Sequence, residues 1–158
     1  MSRVRWSAAL LACAWLTACS TSNLDFVADN RVKFLEPAHE AAVTLPVEIS
    51  WEAEDFDGMF GVFVDRAPIR PGQDLRSLVP HDDELCRRRP DCPDAAWLAT
   101  KRVYVTESTS VRIEELADRR AGNRQADRHE VVIVLLDHEG RRVGEAAFVR
   151  EFTVERED

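Results

Sequence analysis

Val43-Thr44-Leu45-Pro46-Val47-Glu48-Ile49-Ser50-Trp51 is the stretch that decides the fold. Every second residue from Val43 to Trp51 is apolar, and Thr44, Pro46, Glu48 and Ser50 stand between them. Five matches to a period of two describe a strand with one face on a core and the other toward water. A helix would scatter the same apolar set around its axis. Pro46 has no N–H to give to a ladder, so the strand lies at a sheet edge there or changes partners.

Working outward, the alternation recurs. Arg31-Val32-Lys33-Phe34-Leu35 runs toward Pro37 and reads as a short edge strand. Asp55-Phe56-Asp57-Gly58 turns the chain, and Phe60, Val62 and Val64 then share one face. Residues 102–106 and 109–113 read as two more short strands. Val131-Val132-Ile133-Val134-Leu135-Leu136 is wholly apolar and mostly β-branched, which predicts a central strand covered on both faces. Asp137-His138-Glu139-Gly140 predicts a hairpin loop. Residues 143–154 return as the last strand, with Ala146, Phe148, Phe152 and Val154 in phase and Arg150 breaking the pattern. The charged segment 114–125 predicts a short helix and a loop, with Gly122 and Asn123 at its end. About seven short strands, with no helix long enough to cover a parallel sheet, define an all-β chain: an antiparallel two-sheet sandwich.

Residues 67–100 are of another kind. They hold Pro68, Pro71, Pro80, Pro90 and Pro93, five of the seven prolines, together with Cys86 and Cys92. They read as a long insertion. Within it, Asp82-Asp83-Glu84-Leu85-Cys86-Arg87-Arg88 predicts two turns of helix, with acids first and arginines last as the helix dipole favours. Asp83–Arg87 and Glu84–Arg88 are spaced for i,i+4 pairs, and Pro90 ends the helix.

Together, the opening from Pro37 through Val43 to Trp51, Trp51 as a core aromatic, and the closing hairpin between Val131 and Val154 resemble an immunoglobulin-like or fibronectin type III-like domain. The resemblance covers roughly residues 31–158. It implies a sandwich that presents loops. Unlike antibody domains, the chain has no inter-sheet cysteine pair, and no tyrosine near 131–136.

The N-terminus carries an address. Arg3 and Arg5 precede an apolar run from Trp6 to Trp15, the pattern of a secretory signal peptide. The run is shorter than the roughly 20 residues that span a bilayer. Leu16-Thr17-Ala18-Cys19 then resembles the bacterial lipobox. This implies cleavage after residue 18, a diacylglyceryl thioether on Cys19 and an acylated new N-terminus. Several acyl chains on one residue make a stable anchor, each buried CH₂ contributing about 0.8 kcal/mol. The other reading is an ordinary cleaved signal with Cys19 near the cut by chance. Residues 1–18 are thus the signal, 19–30 a lipidated polar tether, and 31–158 the domain. Ser20 after Cys19, with no aspartate there, resembles cargo sent to the outer membrane of a double-membraned bacterium. In a cell with one membrane the protein would sit on its outer face.

Without Arg3 and Arg5, 19 basic and 29 acidic side chains remain, a net charge of −10. That balance argues against nucleic acid or anionic lipid headgroups as partners, since both need a basic footprint. Removal of Cys13 with the signal and lipidation of Cys19 leave Cys86 and Cys92. In an oxidising compartment they predict a disulfide closing a small loop. The alternative, half of a metal site, has only His81 close by in sequence.

The chain lacks G-x-S-x-G, H-E-x-x-H and a phosphate-binding glycine loop. His39, His81, His129 and His138 are scattered and read as surface or turn residues. Glu52, Glu54, Asp55 and Asp57, and separately Asp82, Asp83 and Glu84, offer oxygen ligands for Ca²⁺ but read as solvated turns. Arg87, Arg88 and Arg89 form the basic run. They either dock a carboxylate or phosphate surface or are balanced by Asp82, Asp83, Glu84, Asp91 and Asp94. Trp97 either docks the insertion onto the sandwich or stands exposed as a contact. The sequence therefore predicts a non-catalytic binding or structural module without cofactor or metal, engaging another envelope protein. Glycan or peptidoglycan binding through Trp97 is the alternative.

Overall fold

The computed structural model describes residues 29–119 and 127–156. The signal, Cys19 and most of the tether lie outside the described residues.

The chain is mainly β, in two sheets. In order come β1 (Val32–Glu36), β2 (Ala41–Val43), β3 (Val47–Ala53), β4 (Met59–Val64), β5 (Val103–Thr106), β6 (Ser110–Ile113), β7 (Asp127–Leu136) and β8 (Phe148–Val154). One sheet has the order β1-β3-β6, the other β2-β8-β7-β4-β5. They share one core. Val32, Val47, Ile49, Trp51 and Ile113 from the first sheet meet Phe60, Val62, Val64, Val131, Ile133, Leu135, Phe152 and Val154 from the second. Trp51 is 1% exposed, and its ring meets that of Phe60 edge-on at 5.3 Å.

The stretch from Val43 to Trp51 divides at Pro46. Val43 ends β2 in the five-stranded sheet, and Val47 begins β3 in the three-stranded one. The missing N–H of Pro46 falls where no ladder needs it. The short first half brings a departure from all-antiparallel pairing: β2 runs parallel to β8, with Ala41 opposite Phe152 and Val43 opposite Val154.

β7 is buried on both faces, as its apolar run predicts. One face lies between the sheets, and the insertion covers the other. Val132, Val134 and Leu136, with Phe63 of β4 and Val103 of β5, pack beneath Ile69 and Leu98. Leu75, Leu78 and Trp97 add to this second core. The insertion is therefore a lid on the outer face of the five-stranded sheet. It contains a 3₁₀ turn (Leu75–Leu78), α1 (Glu84–Arg88) and α2 (Ala95–Thr100).

Two expectations change. The last strand begins at Phe148, because Arg142 is buried and draws the preceding chain into a loop. Its guanidinium donates to the carbonyls of Ile69, Glu145 and Ala146 at 2.6, 2.7 and 3.0 Å. Residues 114–119 form no helix; 120–126, with Gly122 and Asn123, lie outside the described residues. Arg150 is the residue that breaks the alternation of β8. Its guanidinium lies 4.9 Å from the Phe34 ring centroid and covers that ring from the opposite sheet.

Candidate functional site

Cys19 lies outside the described residues, and the other predicted site residues, Cys86, Cys92, Arg87, Arg88, Arg89 and Trp97, fall on the insertion. Cys86 and Cys92 are joined, with Cα atoms 5.2 Å apart, and both are 3% exposed. Asp83 starts α1: its carboxylate accepts the Cys86 N–H at 3.0 Å. The other oxygen of Asp83 accepts Trp97 Nε1–H at 3.0 Å. The Cys86 N–H first, and the Trp97 indole second, hold the Asp83 carboxyl below its usual range. Asp94 caps α2 in the same way, accepting the Trp97 N–H at 2.8 Å. One carboxylate thus ties the stapled hairpin to the second helix.

Arg87, Arg88 and Arg89 are engaged within the insertion. Arg87 donates to the His81 carbonyl at 3.0 Å. Arg88 pairs with Glu84, and Arg89 with Asp91 and Asp94. Trp97 is half-buried, docked on the second core, and Lys101 Nζ lies 5.3 Å from its ring centroid. Leu85 is the outlier: it stands on α1 at 81% exposure.

A polar cluster lies elsewhere, at one end of the shared core. His129, placed by its sequence among surface or turn residues, is 0% exposed. Its Nδ1 is 2.8 Å from Asp65 Oδ2, and its Nε2 approaches Asp127 Oδ1 at 3.1 Å, off the line of a good hydrogen bond. Asp65 also accepts the Glu130 N–H at 3.1 Å and Arg119 Nη1–H at 2.7 Å. Asp127 accepts the Arg119 N–H at 2.7 Å and Arg156 Nε–H at 2.6 Å.

Burial alone would raise the Asp65 carboxyl, but the His129 ring, the Glu130 N–H and Arg119 together hold it below its usual range. For Asp127, burial is again opposed and outweighed, by the Arg119 N–H, Arg156 and His129. The cluster fastens the end of β4, the 114–119 segment, the start of β7 and Arg156. Asp65, His129 and Asp127 are 0–1% exposed, so the arrangement fastens these segments from inside the fold. The signal for it is phase: Asp127 and His129 continue the inward positions of Val131, Ile133 and Leu135, and polar groups at such positions require buried partners.

The two acidic groups considered for Ca²⁺ do not gather. Among the described residues, three such side chains bring donor atoms within 4.8 Å of one another at His39 and Glu40, on the exposed turn before β2, and Glu151 of β8 instead.

Comparison with known proteins gives no matching family model, no similar curated protein and no similar solved structure.

Proposed function

We propose that the chain is a lipid-anchored envelope protein whose immunoglobulin-like sandwich is a non-catalytic module for binding another envelope protein. The anchor rests on Leu16-Thr17-Ala18-Cys19 and the basic-then-apolar stretch before it. The immunoglobulin-like reading is supported by the strand order, with β1 and β2 in different sheets and β2 parallel to the last strand.

The observation that carries the binding reading is the form of the insertion. Its inner side is spent on the second core and Arg87, Arg88 and Arg89 are bonded to groups within the insertion, yet the disulfide-stapled α1 holds Leu85 out at 81% exposure. Burial of a large apolar side chain that the fold itself leaves in water would favour association with a partner there. Glycan binding has less support: Trp97, its stacking platform, is tied to Asp83 and lies beneath Lys101.

The test is a pull-down of the full-length lipidated protein from detergent-solubilised native envelopes, with Cys19→Ala and Leu85→Glu as variants. A partner at near-equal stoichiometry, lost with Leu85→Glu, is the expected result. A partner indifferent to Leu85, or no partner, overturns the reading.

A further inference from the structure

The insertion leaves the sheet after β4 and returns before β5, so its two stems lie side by side. Val64 N–H donates to the Arg102 carbonyl and Arg66 Nη1–H to the Lys101 carbonyl, both at 3.0 Å. Between the stems is a depression lined by Asp65, Arg66, Thr100, Lys101 and Arg102.

Its charge is one-sided. Asp65 contributes backbone to the wall, but its side chain is 1% exposed and its oxygens are taken by His129, the Glu130 N–H and Arg119. Arg102 Nη1 is 3.5 Å from Asp65 Oδ2, at the long end of an ion pair. Among the described residues no carboxylate forms an ion pair with Arg66. The guanidiniums of Arg66 and Arg102 therefore border the depression, while the Lys101 ammonium lies over the Trp97 ring, on the side of Asp83. This stands out in a chain of net charge −8.

We propose that this depression is an oxyanion site that takes a phosphoryl group. A carboxylate has two oxygens and matches a single guanidinium fork. Two guanidiniums arriving from two stems suit a tetrahedral group that offers oxygens in more than one direction. The Thr100 hydroxyl is already donating to the Trp97 carbonyl at 2.6 Å, so the donors are the two guanidiniums. The domain's overall negative charge is screened beyond about 8 Å at physiological salt, which leaves this local field in control at contact. A bound phosphoryl group would also bridge the stems and stiffen the base of the insertion. The proposal does not depend on Leu85 or on capture of an envelope protein.

The probe is inorganic phosphate, titrated into the full chain carrying Cys19→Ala and followed by amide NMR shifts. Saturable shifts at Arg66, Lys101 and Arg102 that chloride does not produce are expected. The double variant Arg66→Gln/Arg102→Gln should weaken binding at least about tenfold, or about 1.4 kcal/mol. A melting temperature equal to the parent's shows that the double variant is folded; Arg66→Gln alone, with a smaller loss expected, serves if it is not. Absence of saturable shifts, or equal affinity in the folded variants, overturns the proposal. A second arm separates the sources of the group. Co-sedimentation with phosphatidylcholine vesicles containing phosphatidylglycerol, lost in the double variant, identifies a lipid headgroup. Phosphate binding without co-sedimentation identifies the free anion.

Discussion

His129 Nδ1 and Asp65 Oδ2 meet at 2.8 Å across 64 residues of chain, with both side chains essentially shut off from solvent. Removing Asp65 leaves the buried His129 Nδ1 and the Glu130 N–H without their partner, and breaking a buried pair costs more than never having had it. Asp65→Ala should therefore destabilise the domain by about 3–5 kcal/mol, measured by urea unfolding. A loss near that of a surface ion pair would show that the cluster is open to water.

The pH dependence has a definite sign. The carboxyls of Asp65 and Asp127 are both held below their ordinary range. Their contribution to stability is complete above the unfolded-chain value of about 4 and is lost as pH falls through their lower folded values. The melting temperature should hold steady down to about pH 5 and fall below about pH 4. Asp127→Asn should melt lower at neutral pH and show a shallower acid slope. Parallel acid slopes for the parent and the variant would refute this assignment.

Leu98 is 4% exposed and fixes α2 to the second core. Leu98→Ala should cost about 2–5 kcal/mol. It should also raise hydrogen exchange in residues 95–106 ahead of residues 47–53, because the insertion loosens before the shared core does. Uniform exchange across both regions would contradict the lid.

Peptide mapping by mass without reductant should recover Cys86 joined to Cys92. Replacing both by alanine removes the closure of a small loop and should lower stability by about 2–2.5 kcal/mol on the chain-entropy model. Two free thiols in protein from its native cell would overturn both the pairing and the oxidising compartment.

Alternation survives where one face is wet, and β1, β3 and β6 lie where the period of two puts them; β4 and β5 are placed by the same period although the insertion covers their other face. Pro46 marked the crossing between sheets, since a missing donor is tolerated only off a ladder. Other elements answer to partners far along the chain. The start of β8 depends on Arg142 reaching the Ile69 carbonyl, which no local pattern announces. α2 had readable punctuation in Pro93 and the capping Asp94, but it is six residues long and lies in a proline-rich stretch. Of the site, the cysteine pair was visible from spacing and compartment. The Asp65–His129–Asp127 cluster was half-written in the inward phase of β7. Its other half, Asp65, sits at the end of β4, 64 residues from His129, and only the sheet brings the two together.

The parallel register of β2 with β8 has a mechanical consequence. The N-terminal end of β2 and the C-terminal end of β8 point in opposite directions along the same pair of strands. Tension that reaches these two ends slides one strand along the other and loads their hydrogen bonds together. An antiparallel pair pulled from its open ends would give way one bond at a time. A chain held at its start and tugged from its far end would be gripped in shear at this short seam.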